Sequence, residues 1–256
     1  MQSDRAHSSA SAVLNVDIDY LVKRLFLICI AIEVAFVLLD ITVNRWQWSE
    51  TGSIRRLFNI AREDGLASWF AVTQTIFVSL IAWLIYALTT VRDVRRHQRA
   101  GWLFVALFFT YMAVDDGAEV HERIGTAISN SSVVRFFPSY AWQVLFGPIF
   151  IAVGIFLLYF LWKELRRAPD RWRLIFAISS FGVAVIMDFV EGLENGYLWF
   201  EKMLGWSVQN VEHYSKSIEE FIEMVGMSLF LIIFLAYIPQ LSKSISFNFA
   251  RDEGRR

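Results

Sequence analysis

Apolar residues run almost unbroken for about twenty positions at a time along this chain, and polar or charged residues close each run. At 1.5 Å per residue, a helix of that length crosses a hydrocarbon core of about 30 Å. The runs predict spans over residues 21–43, 67–91, 101–126, 140–163, 172–196 and 210–239. No internal repeat or low-complexity stretch interrupts them. The expected fold class is therefore all-α: a polytopic membrane helical bundle of about six transmembrane helices, forming one domain over residues 1–256. Residues 1–20 are polar and lack the apolar core of a signal peptide, which predicts a flexible N-terminal tail. Residues 241–256 are expected to form a cytoplasmic tail.

Two segments between the runs have a different pattern. In SETGSIRRLFNIAREDGLASWF, Ile54, Leu57, Phe58 and Ile60 fall near one another on a helix with arginines beside them. This predicts a short interfacial helix ended by Gly65, flanked by Trp46, Trp48 and Trp69. YLWFEKMLGW, at 197–206, predicts a second. Gly147-Pro148 predicts a kink in the fourth span.

Composition agrees with a membrane setting: 56% of the residues are hydrophobic and 16% aromatic, and mean hydropathy is +0.44. The abundant Phe and Trp are expected to be mostly lipid-facing bulk. The net charge of -1 points to no nucleic-acid partner. With Cys29 as the one cysteine, an internal disulfide is excluded. Cations concentrate after the second span (Arg92, Arg95, Arg96, Arg99), after the fourth (Lys163, Arg166, Arg167, Arg171, Arg173) and in the C-terminal tail. Such loops face the cytoplasm, so both termini are expected inside, in a cell inner membrane. One loop opposes the rule: Arg45, Arg55, Arg56 and Arg62 fall on the predicted outer side.

Against this apolar background stand three clusters of ionisable residues. Asp115, Asp116, Glu119, His121 and Glu122 close the third span. Asp188, Glu191 and Glu194 close the fifth. Glu212, His213, Glu219, Glu220 and Glu223 open the sixth. An unpaired charge at membrane depth costs several kcal/mol, so side chains kept there generally serve a site. Counting about 1.5 Å per residue from the cytoplasmic ends brings all three clusters to one height, in the outer half of the bilayer. On straight helices, Asp115, Glu119 and Glu122 share a stripe, as do Asp188, Glu191 and Asn195, and Glu212, Glu219 and Glu223. His121 would lie opposite Asp115, and His213 would share a face with Glu220 about 90° from the Glu223 stripe. Stacked carboxylates persist only if protons, cations or a metal neutralise them. Lys216 shares the Glu212 and Glu219 stripe and is a candidate counter-ion. Glu33 is expected to pair across the bundle and Asp40 to reach the interface.

All the clustered residues except Glu194, which sits near a helix end, are candidate metal ligands. Carboxylate with imidazole suits Zn, Fe or Mn; carboxylate alone suits Ca, Mg or Mn. The expected cofactor is one or more divalent ions, Zn, Fe or Mn. The ferritin-like Glu-x-x-His and zincin His-Glu-x-x-His spacings are both missing.

With LFNIAREDGLASWF after the first span, Asp115-Asp116…His121-Glu122 and Glu219-Glu220-Phe221-Ile222-Glu223-Met224-Val225-Gly226, the chain resembles a group of uncharacterised bacterial multi-pass membrane proteins. The resemblance implies a bacterial inner membrane and carries no reaction with it. This chain reads Asn-Ile-Ala-Arg-Glu-Asp where an earlier aspartate is expected, which argues against a part for that segment in the site. The leading expectation is a metal-dependent enzyme, hydrolase or oxidoreductase, acting on a lipid or other hydrophobic substrate. A proton- or cation-coupled transporter or channel, and a structural or ligand-binding subunit of a membrane complex, are the alternatives.

Overall fold

The computed structural model describes residues 16–92, 94–129 and 137–242. Most of the expected N-terminal tail and nearly all of the C-terminal tail lie outside the described residues. Within them the chain is helical: α1 (Ile18–Asp40), α2 (Gly52–Leu57), α3 (Leu66–Val91), α4 (Arg96–Ala118), α5 (Val120–Ile128), α6 (Trp142–Glu164), α7 (Ala168–Glu191), α8 (Leu198–Leu204) and α9 (Val208–Leu241). The Asp17 side chain accepts from the Tyr20 amide at 3.1 Å to cap α1, and the Ser207 side chain caps α9. α2 ends at Leu57, before the expected stop; Gly65 instead opens α3. α6 continues through Pro148 as one helix.

Among the described residues, five helices are long and apolar enough to cross a membrane: α1 with its extension to Arg45, α3, α6, α7 and α9. α4, the expected third span, falls outside this set, its apolar run diluted by Asp115 and Asp116. The chain is thus a multi-pass helical bundle, and α4 also runs from one end of it to the other: Gln98 near its start meets Glu164 and Tyr237, and Asp116 near its end meets Thr75.

α9 is the central helix. Of its apolar stretch, 67% is buried, against 17–33% in the other four. α1, α3 and α7 pack on it, α4 pairs with α3, and α6 packs on α7 and α5. Lipid tails are as apolar as leucine, so close packing rather than hydrophobic drive holds such helices together. Small residues permit that approach. Gly226 of α9 meets Ser180 and Phe181 of α7 so closely that a Cβ there would lie 2.9 Å from Phe181 Cε2. Large rings fill the wider gaps. Trp102 and Phe109 of α4 and Phe160 of α6 join Phe230, Phe234 and Tyr237 of α9 in one aromatic core. Lipid-facing bulk therefore describes only part of the aromatic content: Trp102 is fully buried, while Trp46, Trp48 and Trp69 are exposed.

Side-chain contacts give the bundle two distinct ends. At one, Asp40 meets His213, Thr75 meets Asp116 and Gln143 meets Asp188. At the other, Glu164 accepts from Gln98 and Tyr237, and Arg167 pairs with Asp19. The first is called the acidic end below.

Between the ends lies a buried polar group. Glu33 of α1 is fully buried, and its Oε1 accepts from Gln74 Nε2 of α3 at 2.9 Å and Ser228 Oγ of α9 at 2.7 Å. Glu33 thus pairs across the bundle as expected, tying three helices together. Glu33 Oε2 and Gln74 Oε1 are buried without a partner. Glu33→Gln, which keeps the shape, is expected to leave the melting temperature in neutral detergent unchanged or raise it. Glu33→Leu takes the acceptor from the Ser228 hydroxyl, while Gln74 Nε2 keeps Ser228 Oγ at 2.7 Å, and costs about 1–3 kcal/mol. A loss for the glutamine variant as large as for leucine would mean that the negative charge itself holds the three helices.

Candidate functional site

The expected third span does not run through to residue 126. α4 stops at Ala118, Glu119 takes a left-handed conformation (φ 51°, ψ 40°), and α5 starts at Val120. A non-glycine residue there pays a steric cost of about 1–2 kcal/mol, so neighbours must hold the break. They do. Asp115 Oδ1 accepts from the His121 amide at 2.9 Å, and Asp115 Oδ2 pairs with His121 Nδ1 at 2.7 Å. Arg123 Nε donates to the Ala118 carbonyl at 2.8 Å. The straight-helix stripe of Asp115, Glu119 and Glu122 is therefore broken. His121, expected opposite Asp115, is its partner, and packs edge-on against Trp142 of α6.

The break turns Glu119 and Glu122 toward the loop before α3. There they meet Glu63, with carboxylate oxygens of all three within 4.8 Å of one another. The sequence argued against a part for the 59–64 segment; the fold puts Glu63 beside two candidate ligands. Partial desolvation, then the neighbouring acids Glu119 and Glu122, push Glu63 up to about 8. A neighbouring arginine, Arg123, reaches Glu119 at 3.2 Å.

A second group forms from α7 and α9. Asp188, Glu191 and Glu219 also bring carboxylate oxygens within 4.8 Å of one another. Each carboxylate accepts from a donor outside the group: Asp188 from Gln143 Nε2 at 3.1 Å, Glu191 from the hydroxyls of Tyr140 at 3.0 Å and Tyr197 at 3.4 Å, and Glu219 from Lys216 Nζ at 3.0 Å. Lys216 thus acts as the expected counter-ion, but toward Glu219 and Glu220. Glu219 Oε2 is buried with no partner. Burial, and after it the charge of Glu191, pushes the Tyr197 phenol up to about 12.

The two groups are electrical neighbours. Glu220 feels the charges of Lys216, Asp116, Glu122 and Glu191, and Glu223 those of Glu220, Asp116, Glu219 and Lys216. Asp116 accepts from Thr75 Oγ1 at 3.0 Å. Not every expected ligand joins. Glu212 is exposed. His213 turns from α9 to α1, where its Nε2 lies 2.9 Å from Asp40 Oδ2. Asp40, expected at the interface, is instead buried and also accepts from Asn44 at 2.8 Å and Ser217 at 3.3 Å. Neither imidazole belongs to either carboxylate group. Glu63 and Tyr140 carried no periodic signal; only the acidic character of Glu63, beside an apolar run, marked it out.

Fold and site together define a multi-pass helical membrane protein with a carboxylate-rich centre at one end of the bundle. Residues 25–238 match the family described as "Domain of unknown function (DUF8692)", and the chain belongs to that family. No curated protein and no solved structure matches it significantly.

Proposed function

We propose that this protein is a metal-dependent enzyme of a bacterial inner membrane, acting on a lipid or other hydrophobic substrate that reaches the acidic end from the bilayer. One observation carries the reading: Asp188, Glu191 and Glu219 meet within 4.8 Å, each held by a donor outside the group, and leave a buried Glu219 oxygen without a partner. Three carboxylates so close repel strongly, and Lys216 offsets only one of them. The donor set fits a hard divalent cation. With His121 and His213 committed to Asp115 and Asp40, the group is all oxygen, which among Zn, Fe and Mn favours Mn, and equally suits Mg or Ca. Asp188, Glu191 and Glu219 would hold the ion, with Glu63, Glu119 and Glu122 as a second candidate group. A bound ion would supply a polarised oxygen or an activated water. Glu220 and Glu223, beside the group but outside it, are placed to take up a proton. Tyr140, Tyr197 and Gln143 fix the carboxylate orientations. The test is elemental analysis of the purified protein with Glu219→Ala as the control. Stoichiometric metal lost in that variant supports the reading, and a metal-free wild type refutes it.

A second reading, proton or cation transfer across the membrane, draws on the buried Glu33–Gln74–Ser228 group, which continues polar chemistry inward from the acidic end. Beyond it the aromatic core of Trp102, Phe109, Phe230 and Phe234 fills the bundle, which weighs against a continuous path.

The proposed topology puts both termini in the cytoplasm and the acidic end outside. Cys29 is buried, so an added surface cysteine reports alone. Lys202→Cys, on exposed α8, should react in intact cells with an impermeant maleimide, and Arg96→Cys should react only after lysis. The reverse pattern would put the acidic end inside.

A further inference from the structure

Three of the four arginines that oppose the charge rule gather in one place. Arg55, Arg56 and Arg62, with Asn44, Asn59 and Gly52, line an open depression of about 260 Å³ beside α2. Asp64 organises two of them: Arg56 Nε donates to Asp64 Oδ2 at 2.6 Å, and Arg62 Nε to Oδ1 at 3.0 Å. These guanidiniums hold Asp64 well below the usual carboxylate range. One carboxylate engages two of the three guanidiniums, so the three arginines with Asp64 keep a net positive charge. Arg55 is the least satisfied. Its Nη2 reaches the Asn44 carbonyl only at 3.5 Å, and its Nε is buried without an acceptor. Arg55 lines the depression, and a guanidinium so weakly engaged suits an anionic acceptor there.

The surroundings identify the depth. Trp46 and Trp48, 72% and 80% exposed, lie just before α2; Ile54 and Leu57 are exposed on it, and Trp69 opens α3. Exposed tryptophans and an apolar helix edge beside arginines mark the headgroup layer of a bilayer. Guanidinium forks match phosphate oxygens in that layer.

We propose that this depression is a seat for the phosphate of an anionic phospholipid headgroup. Arg62 and Glu63 are adjacent in the chain, so a lipid held here would lie beside the Glu63, Glu119 and Glu122 group. The seat stands on its own as a lipid site. Only its use for substrate rests on the proposed enzyme function, and the test below reads lipid retention without reference to metal or activity.

The experiment offers equal amounts of phosphatidylglycerol and phosphatidylcholine to the full chain, delipidated in neutral detergent, and counts retained lipids by native mass spectrometry. Wild type should prefer phosphatidylglycerol. Arg55→Gln should cut the preference about fivefold, the share of one arginine at a membrane surface. The exposed Arg56→Gln should also cut it, and serves if Arg55→Gln does not fold. Arg55→Lys, keeping the charge, should retain most of it, and Arg92→Gln at the opposite end should leave it unchanged. No preference in wild type, or one equal in the Gln variants, overturns the proposal. Loss of bound phosphatidylglycerol to millimolar inorganic phosphate would mean a general phosphate site and overturns the lipid assignment.

Discussion

A chelator is expected to lower the melting temperature of the wild-type protein and leave that of Glu219→Ala nearly where it was. The expectation follows from the Asp188, Glu191 and Glu219 group. An ion bound only by the folded chain adds RT ln(1 + [L]/Kd), about 2.7 kcal/mol at a hundredfold excess over Kd. For a chain of this size that is about 5–10 °C, at about 2–4 °C per kcal/mol. In Glu219→Ala one ligand is already gone, so the chelator has little left to remove. The alanine variant also relieves repulsion among three acids, and its melting temperature without metal should therefore match or exceed that of the chelated wild type. A wild type indifferent to chelators would leave the acids to protons and Lys216, and transport would become the leading reading. Added Mn or Mg should restore the wild-type melt, while Zn should do so less well, because no imidazole or thiolate stands in either group.

The second large effect lies away from the carboxylate groups, at Asp40. Asp40→Ala is expected to cost about 3–5 kcal/mol, the range for removing one partner of a buried ionic contact. Asp40 accepts from His213, Ser217 and Asn44, and joins the end of α1 to the start of α9. Its removal strands the Asn44 amide and the His213 ring nitrogen at once, while the Ser217 hydroxyl keeps the His213 carbonyl at 2.8 Å. His213→Ala should cost less, about 1–3 kcal/mol, because Asp40 keeps Asn44 and Ser217 as partners. Thermal or denaturant unfolding ranks the two. Metal content separates them from the ligand variants: His213→Ala should bind metal as wild type does, and Glu219→Ala should not. Metal loss in a folded His213→Ala would return that histidine to the site.

The same residues show how far the sequence could be read. The membrane helices were legible because an apolar run near twenty residues has few other fates, and length depends on no partner. Gathering of the acids at one end was legible for a similar reason: rise per residue is fixed, so distance along a helix gives depth. Lys216 beside Glu219 followed from helical spacing, which is local, and Glu33 reaching across the bundle from burial, since such a charge demands a partner. The central place of α9 was not legible, because a lipid-facing leucine and a buried one look alike in composition. Which acids meet was a tertiary matter. Stripes assume straight helices, and the left-handed Glu119, held by Asp115, His121 and Arg123, redirects Glu119 and Glu122 to Glu63. The histidines lie apart from the two carboxylate groups for the same reason. Their partners, Asp115 and Asp40, were in view, but only the packing of α5 and α1 decides which carboxylate an imidazole reaches first. The sequence by itself determined an all-helical membrane chain with its acids at one depth, because helix geometry is local. The tertiary structure alone decided how those acids divide into groups, because that division depends on a helix break and on contacts between residues far apart in the chain.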